Sequence, residues 1–137
     1  MSWVVDTCLV IDVLDVDPVH GKATADLLTV CRPDGLVLCP VSFVELAPSF
    51  VGDVGMQCKF LDSIGVRWEQ VFWMDEDTEH AHAAWQRHVV ARRAGAVPRR
   101  PMADILIGAF AMRYEGLITR NPADFADIFP ELAIRVP

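Results

Sequence analysis

The sequence predicts an α/β protein, a three-layer α/β/α sandwich with a mainly parallel central sheet. Short, continuous apolar segments alternate with helix-like segments along the chain, a pattern typical of parallel sheets covered on both faces. Hydrophobic residues make up 53% of the 137 residues, which excludes a disordered chain and allows a proper core. No linker, repeat or low-complexity stretch divides the sequence, so we expect one domain over residues 1–137.

The first elements follow from apolar runs and turn residues. Residues 3–6 predict a short buried strand, and a helix is expected from Thr7 to about Leu14. A second helix is predicted over about 20–31, because Arg32-Pro33-Asp34-Gly35 is a turn signature that would stop it. Residues 36–39 then predict the next buried strand.

The middle of the chain begins with Pro40, which suits the first position of a helix that carries Glu45. Residues 55–64 predict another helix, which ends at Gly65. Residues 66–74 are rich in Val, Trp and Phe and favour a strand. The acids of 75–79 are typical of a helix start, and Gly95 would cap that helix.

The last third contains a helix, from about Pro101 to Tyr114, that is apolar nearly all round and is therefore expected at the centre of the protein. Residues 116–119 predict a strand, 121–125 a loop with a helical turn, and 133–136 a final strand.

Three of these apolar segments each carry one carboxylate where a core residue would be expected: Asp6, Glu45 and Asp104. A lone ionised carboxylate in apolar surroundings is costly unless it is paired, hydrogen-bonded or bound to a metal. In a parallel sheet the strands end at one common edge, and ligands bind in the crevice there. Asp6 ends the first strand, Glu45 lies in the helix after the second strand, and Asp104 opens the central helix. Residues 119–124 follow the penultimate strand, so we expect all four segments to reach this edge and their acids to converge on one divalent-cation site.

An oxygen-only ligand set without a His or Cys pattern selects hard cations, so Mg²⁺ is expected, with Mn²⁺ as a possible substitute. The expected chemistry is metal-assisted hydrolysis, in which the cation stabilises charge on the phosphoryl oxygens. Asp6 and Asp104 would be the principal ligands, and Glu45 would complete the set or position the attacking water. Thr7 and Thr119 could orient water or phosphate, or merely satisfy strand ends.

Other interpretations of the same acids remain open. Asp6, Asp104 and Asp124 could simply cap helices, and Glu45 could be a surface residue of an amphipathic helix.

The net charge is −7, yet most acids lie in residues 1–86 and most arginines in 87–137. That basic region could bind the phosphates of a phosphodiester substrate or could be a solvated helix face and loop. The candidate phosphate-binding residues, which would contact RNA if the substrate is RNA, are Arg99, Arg100 and Arg120.

The four cysteines form no C-x-x-C pair, which argues against a zinc site and favours reduced thiols. The apolar runs are too short to span a bilayer, and the N-terminus lacks the basic region of a signal peptide, so a cytoplasmic protein is expected.

The ordered set of motifs resembles the PIN-domain ribonucleases, and most of all the VapC-type toxins of bacterial toxin–antitoxin pairs. The motifs are Asp6-Thr7, Glu45, the Pro101-x-x-Asp104-x-x-Ile107-x-x-Phe110-Ala111 run and the Ile118-Thr119-Arg120-Asn121-Pro122-Ala123-Asp124-Phe125 run. The resemblance implies a PIN-like sandwich, endoribonuclease activity that depends on Mg²⁺ or Mn²⁺, a homodimer, and a small antitoxin whose tail fills the groove.

By that resemblance Asp6, Glu45 and Asp104 fall on acidic positions of the family. The fourth position, often Asp, is here Asn121, so Asp124 is the carboxylate available to take its role directly or through water. One strongly bound cation is therefore expected rather than two. The departure at Asn121 also leaves open a second hypothesis, a catalytically weak or inactive PIN-like module that binds RNA or protein. A phosphatase is a third hypothesis, disfavoured because Cys8 replaces the second acid of a first-strand Asp-x-Asp.

Overall fold

The computed structural model describes residues 1–137 and is built on a five-stranded sheet in which every pairing is parallel. The strands are β1 (Trp3–Val5), β2 (Leu36–Val37), β3 (Val66–Arg67), β4 (Gly116–Ile118) and β5 (Ile134–Arg135). Their order across the sheet is β3-β2-β1-β4-β5, so β1 lies at the centre with β2 and β4 on either side. The expected α/β class and parallel sheet are confirmed.

Seven α-helices connect or follow the strands. They are α1 (Thr7–Leu14), α2 (Gly21–Cys31), α3 (Pro40–Glu45), α4 (Val54–Ser63), α5 (Asp75–Arg93), α6 (Met102–Ala111) and α7 (Ala123–Ala126). The chain also contains two short 3-10 turns, Arg32–Asp34 and Ala47–Phe50. None of these helices is both long and apolar enough to cross a bilayer.

The residues of β1 alternate between the two faces of the sheet, as the pleat of a strand requires. Trp3 and Val5 belong to the apolar cluster that includes side chains of α1, α2 and α4. Val4 belongs to the cluster on the other face, which includes side chains of α6 and α7. The sheet is thus covered on both sides, which confirms the three-layer sandwich.

Helix α6 is apolar nearly all round because it packs between the sheet and α5. Ile107 and Phe110 contact the sheet-facing cluster, whereas Ile105 and Ala109 join Ala84 of α5 in a third cluster. The expectation of a central buried helix is confirmed. This position also fixes where its first turn, and hence Asp104, lies relative to the strand ends.

The expected strand over 66–74 is largely wrong, because only Val66–Arg67 pairs with the sheet. Beyond it the backbone turns at Gln70, which has a φ of 54°. The carbonyl of Phe72 accepts a hydrogen bond from the Arg113 guanidinium at 2.8 Å instead of joining a strand. A Val- and Trp-rich segment at the edge of a sheet therefore leaves the sheet after two residues.

Candidate functional site

Asp6 directly follows β1 and is almost fully buried, with 7% of its surface exposed. Its Oδ1 accepts the backbone N–H of Thr7 at 2.8 Å and so caps α1. Its Oδ2 accepts the Thr119 hydroxyl at 2.7 Å and the Cys8 thiol at 3.5 Å. Burial raises the pKa of the Asp6 carboxyl, the three hydrogen bonds partly oppose that rise, and the charge of Glu45 adds to it.

Glu45 is the last residue of α3, and its side chain is exposed. The expectation that this acid replaces a core residue is wrong, because α3 has only six residues and presents Glu45 to solvent at its end. Its Oε1 accepts the hydroxyl of Thr7 at 2.8 Å. Thr7 thus contacts Asp6 through its backbone and Glu45 through its side chain, and joins the two acids.

Asp104 lies in the first turn of α6 and is half-buried. Burial is the main cause that raises its pKa to about 6, and the charges of Asp6, Asp124 and Glu45 add to the rise. The Arg100 guanidinium opposes it. The fold therefore brings the four predicted acids within electrostatic reach of one another at the carboxyl edge of the sheet.

Asp124 forms an ion pair with Arg100. The Arg100 Nη1 donates to Asp124 Oδ1 at 2.8 Å, and its Nη2 donates to the carbonyl of Ala123 at 3.2 Å. Asn121 is exposed, and its backbone N–H donates to the Thr119 hydroxyl oxygen at 3.0 Å. The structure does not decide which of the two fills the fourth acidic position. Only Asp124 has a charge, and that charge raises the pKa of Asp104.

Arg120, a candidate RNA-binding residue, has a buried partner that sequence reasoning missed. Its Nε and Nη2 donate to the two carboxylate oxygens of Asp12, both at 2.9 Å. Asp12 is 2% exposed and also accepts the Thr24 hydroxyl at 3.2 Å. A signal was present, since Asp12 interrupts the apolar run of α1 just as the three predicted acids interrupt theirs. Arg99, by contrast, is exposed.

The donor set fits a hard divalent cation in kind. Asp6, Glu45 and Asp104 supply only carboxylate oxygens, and their mutual repulsion is what a bound cation would relieve. As the side chains stand, however, no three Asp, Glu, His or Cys residues are grouped closely enough to hold an ion together. The acids of a cation site are therefore brought to one edge of the sheet, but their oxygens do not lie close enough together for three of them to bind one ion.

These observations define an α/β/α sandwich with an acidic cluster, formed by Asp6, Glu45, Asp104 and Asp124, at the carboxyl edge of its sheet. The sequence matches no protein-family model and no curated protein. The fold is similar to a chain in the crystal structure of VapBC2 from Rickettsia felis bound to a DNA fragment from their promoter. The TM-score is 0.72 over 99% of this chain and 98% of that one, at 13% sequence identity. The likeness shows the fold, and it confirms the expected PIN-like sandwich.

Proposed function

We propose that this protein is a cation-dependent endoribonuclease of the PIN-domain type and the toxin of a toxin–antitoxin pair. The observation that carries the proposal is the convergence of Asp6, Glu45 and Asp104, from three distant segments, on one edge of the sheet. The similarity of the fold to a VapBC2 chain supports the same reading.

Asp6 and Asp104 would hold the cation, Mg²⁺ or Mn²⁺, and Glu45 would complete the set or orient water. When bound, the cation would supply electrophilic assistance to the hydrolysis of an RNA phosphodiester bond. The Thr119 hydroxyl fixes one oxygen of Asp6, and the Thr7 hydroxyl fixes one oxygen of Glu45. Asp124 would give outer support, with its charge balanced by Arg100.

The proposed partners are an RNA substrate, a small antitoxin protein and a second copy of the chain. Action in the cytoplasm follows from an RNA substrate and a toxin role. The proposed nuclease activity rests on the acidic cluster, whereas the proposed partners rest on the resemblance of the motifs and on the fold.

A second candidate function is a PIN-like module that binds RNA or protein without turnover. Two observations favour it: Asn121 stands where an acid is often found, and no three potential ligands are grouped for an ion. It predicts RNA binding that survives EDTA, without cleavage.

The test is cleavage of a mixed RNA pool by purified protein with Mg²⁺, with Mn²⁺ and with EDTA. Asp104→Asn should abolish cleavage while the protein stays folded, because the substitution removes a repelled charge from a half-buried position. Asp62→Asn, at an exposed site on α4, is the matched control and should cleave normally. Undiminished cleavage by Asp104→Asn would overturn the proposal, and RNA binding without any cleavage would favour the module.

A further inference from the structure

Arg100 joins two segments that carry acids of the acidic cluster. It lies between α5 and α6, four residues before Asp104 in the sequence. Its Nη1 donates to Asp124 Oδ1 at 2.8 Å, and its Nη2 donates to the carbonyl of Ala123 at 3.2 Å. Ala123 and Asp124 open α7, so the guanidinium connects the segment that leads into α6 with the start of α7. These are the two helices that carry Asp104 and Asp124.

The backbone of Arg100 is fixed as well, by a histidine of α5. The N–H of Arg100 donates to Nε2 of His88 at 3.1 Å, and His88 is 3% exposed. The Arg100 side chain is 16% exposed, against 36% for that of Asp124. Contacts with α5 and α7 therefore hold Arg100 at three points. This distinguishes it from the mobile arginines of most surface ion pairs, which contribute little.

The charge of Arg100 reaches the centre of the cluster. Burial is the main cause that raises the pKa of Asp104, the charge of Asp124 adds to the rise, and the charge of Arg100 opposes it. Arg100 and Asp124 thus both lie within electrostatic reach of the Asp104 carboxyl. A guanidinium does not lose its proton in proteins, so this positive charge is permanent. The acidic cluster therefore contains one cation of its own.

The position of that cation matters for how many metal ions the cluster can bind. In hydrolases that use two metal ions, acids hold the second ion about 4 Å from the first. Asp124 is the acid available for that purpose, because Asn121 is uncharged, and Arg100 already binds its Oδ1. A second divalent ion at Asp124 would have to displace the guanidinium, and the positive charge of Arg100 would repel it.

We infer that Arg100 is a built-in counter-ion that occupies Asp124 in place of a second divalent cation, so that the acidic cluster binds one ion only. The inference rests on the proposed function for the site of that ion. It concerns the number of ions bound and does not depend on cleavage of RNA. It also gives Arg100 a place inside the cluster, whereas the sequence suggested a contact with substrate phosphates.

The test is a titration of the full chain with Mn²⁺, in which electron paramagnetic resonance measures the unbound ion. Wild type should bind one ion. Arg100→Gln should bind two, because it frees Asp124 and removes the charge that repels a second cation. Arg99→Gln is the matched control: Arg99 precedes Arg100, is exposed, and its loss changes the net charge equally. It should bind one ion, since salt at about 0.15 M screens exposed charges.

Two further variants separate charge from shape and from chance binding. Arg100→Lys retains a positive charge beside Asp124 and should bind one ion. The double variant Arg100→Gln/Asp124→Asn should also bind one, because the second ion requires the freed carboxylate. A second ion that persists in the double variant is an adventitious ion only, and it overturns the inference. So does weaker binding of the first ion by Arg100→Gln, since Arg100 would then support the cation site.

Equal numbers of ions in wild type and Arg100→Gln, none included, overturn the inference as well. If Arg100→Gln fails to fold, NMR spectra of wild type decide the question. The hydrogen-bonded guanidinium signals of Arg100, identified by their absence in Arg100→Lys, should persist when Mg²⁺ saturates the protein. Their loss on addition of Mg²⁺ would show that the metal ion displaces Arg100 from Asp124, against the inference.

The two proposals fail separately in this design. If Arg100→Gln gains an ion that depends on Asp124 but wild type cleaves no RNA, the counter-ion stands and the nuclease falls. If wild type cleaves RNA but Arg100→Gln binds no additional ion, the nuclease stands and the counter-ion falls.

Discussion

Arg120 donates two hydrogen bonds of 2.9 Å to Asp12, and this ion pair connects the loop after β4 to helix α1. Arg120 lies between Thr119, which binds Asp6, and Asn121, whose N–H binds Thr119. The pair therefore holds the backbone that positions the Thr119 hydroxyl against Asp6 in the acidic cluster. Arg120 therefore has a structural role, because its guanidinium binds the carboxylate of Asp12.

Breaking this pair should destabilise the protein strongly. Arg120→Gln leaves the Asp12 carboxylate, 2% exposed, without its cation, and such losses cost about 3 kcal/mol. Urea unfolding at pH 7 measures the change. The control is Lys22→Gln, which breaks the exposed Lys22–Asp26 pair and should cost less than about 0.5 kcal/mol. Equal losses for the two variants would show that the buried pair contributes nothing special.

Asp104 should make the metal-free protein less stable as the pH rises from about 4 to about 6. Its pKa is about 6 in the folded state against 3.8 for an unperturbed Asp, so the folded state holds the proton longer. Stability therefore falls across this interval, by about 1–2 kcal/mol once partial exposure of the side chain is discounted.

Unfolding in urea with EDTA, at pH 4 and at pH 7, checks this dependence. Asp6 also has a raised pKa and titrates in the same direction, so the comparison is between wild type and Asp104→Asn. The variant should lose less stability than wild type between the two pH values. A steeper fall in the variant would contradict the assigned direction of the shift.

The hydroxyl of Thr119 should matter more than its methyl group. Thr119 is fully buried, donates to Asp6 and accepts from the backbone of Asn121. Thr119→Val retains the shape but leaves the Asn121 N–H without its acceptor and Asp6 Oδ2 with only the weak Cys8 thiol donor. The expected cost is about 2–3 kcal/mol, and the pKa of Asp6 rises further. Thr119→Ser retains both hydrogen bonds and should cost about 1 kcal/mol. Thermal unfolding of the two variants ranks them, and the reverse order would refute the role of the hydroxyl.

Cys8 should be nearly inert as a nucleophile although it lies beside Asp6 of the acidic cluster. Burial, and then the charge of Asp6, raise the pKa of its thiol to about 12. At pH 8 we expect iodoacetamide to alkylate Cys8 at least about a hundredfold more slowly in the folded protein than in urea, because only the thiolate reacts. Peptide mapping by mass spectrometry resolves Cys8 from the other three cysteines. Similar rates in both states would contradict the prediction.

The positions of Asp6 and Asp104 could be predicted from the sequence because a parallel sheet leaves little freedom there. Asp6 follows a buried strand directly, and Asp104 opens a helix whose apolar circumference requires a central place. Glu45 lies at the edge of the sheet that the sequence predicts, but it is exposed at the end of a short helix and does not stand in for a core residue.

The pairing of Asp12 with Arg120 could not be predicted, because 108 residues separate them. In sequence Asp12 has the same signature as Asp6, a single acid in an apolar run. Only the fold shows that Asp12 pairs with an arginine whereas Asp6 joins the acidic cluster. The extent of β3 escaped prediction for a related reason: the Arg113 guanidinium that binds the carbonyl of Phe72 comes from a distant segment.

Asp6 both caps helix α1 and belongs to the acidic cluster, and this double role has an evolutionary consequence. Asn, Ser and Thr also cap helices, so position 6 could lose its carboxylate to one of them and keep the cap, whereas most other residues would remove both. In lineages that lose the proposed chemistry, replacements of Asp6 should therefore be confined to capping residues, whereas Asp104 and Glu45, which cap no helix, should accept a wider range. Surveys of decayed copies in genomes would reveal that bias.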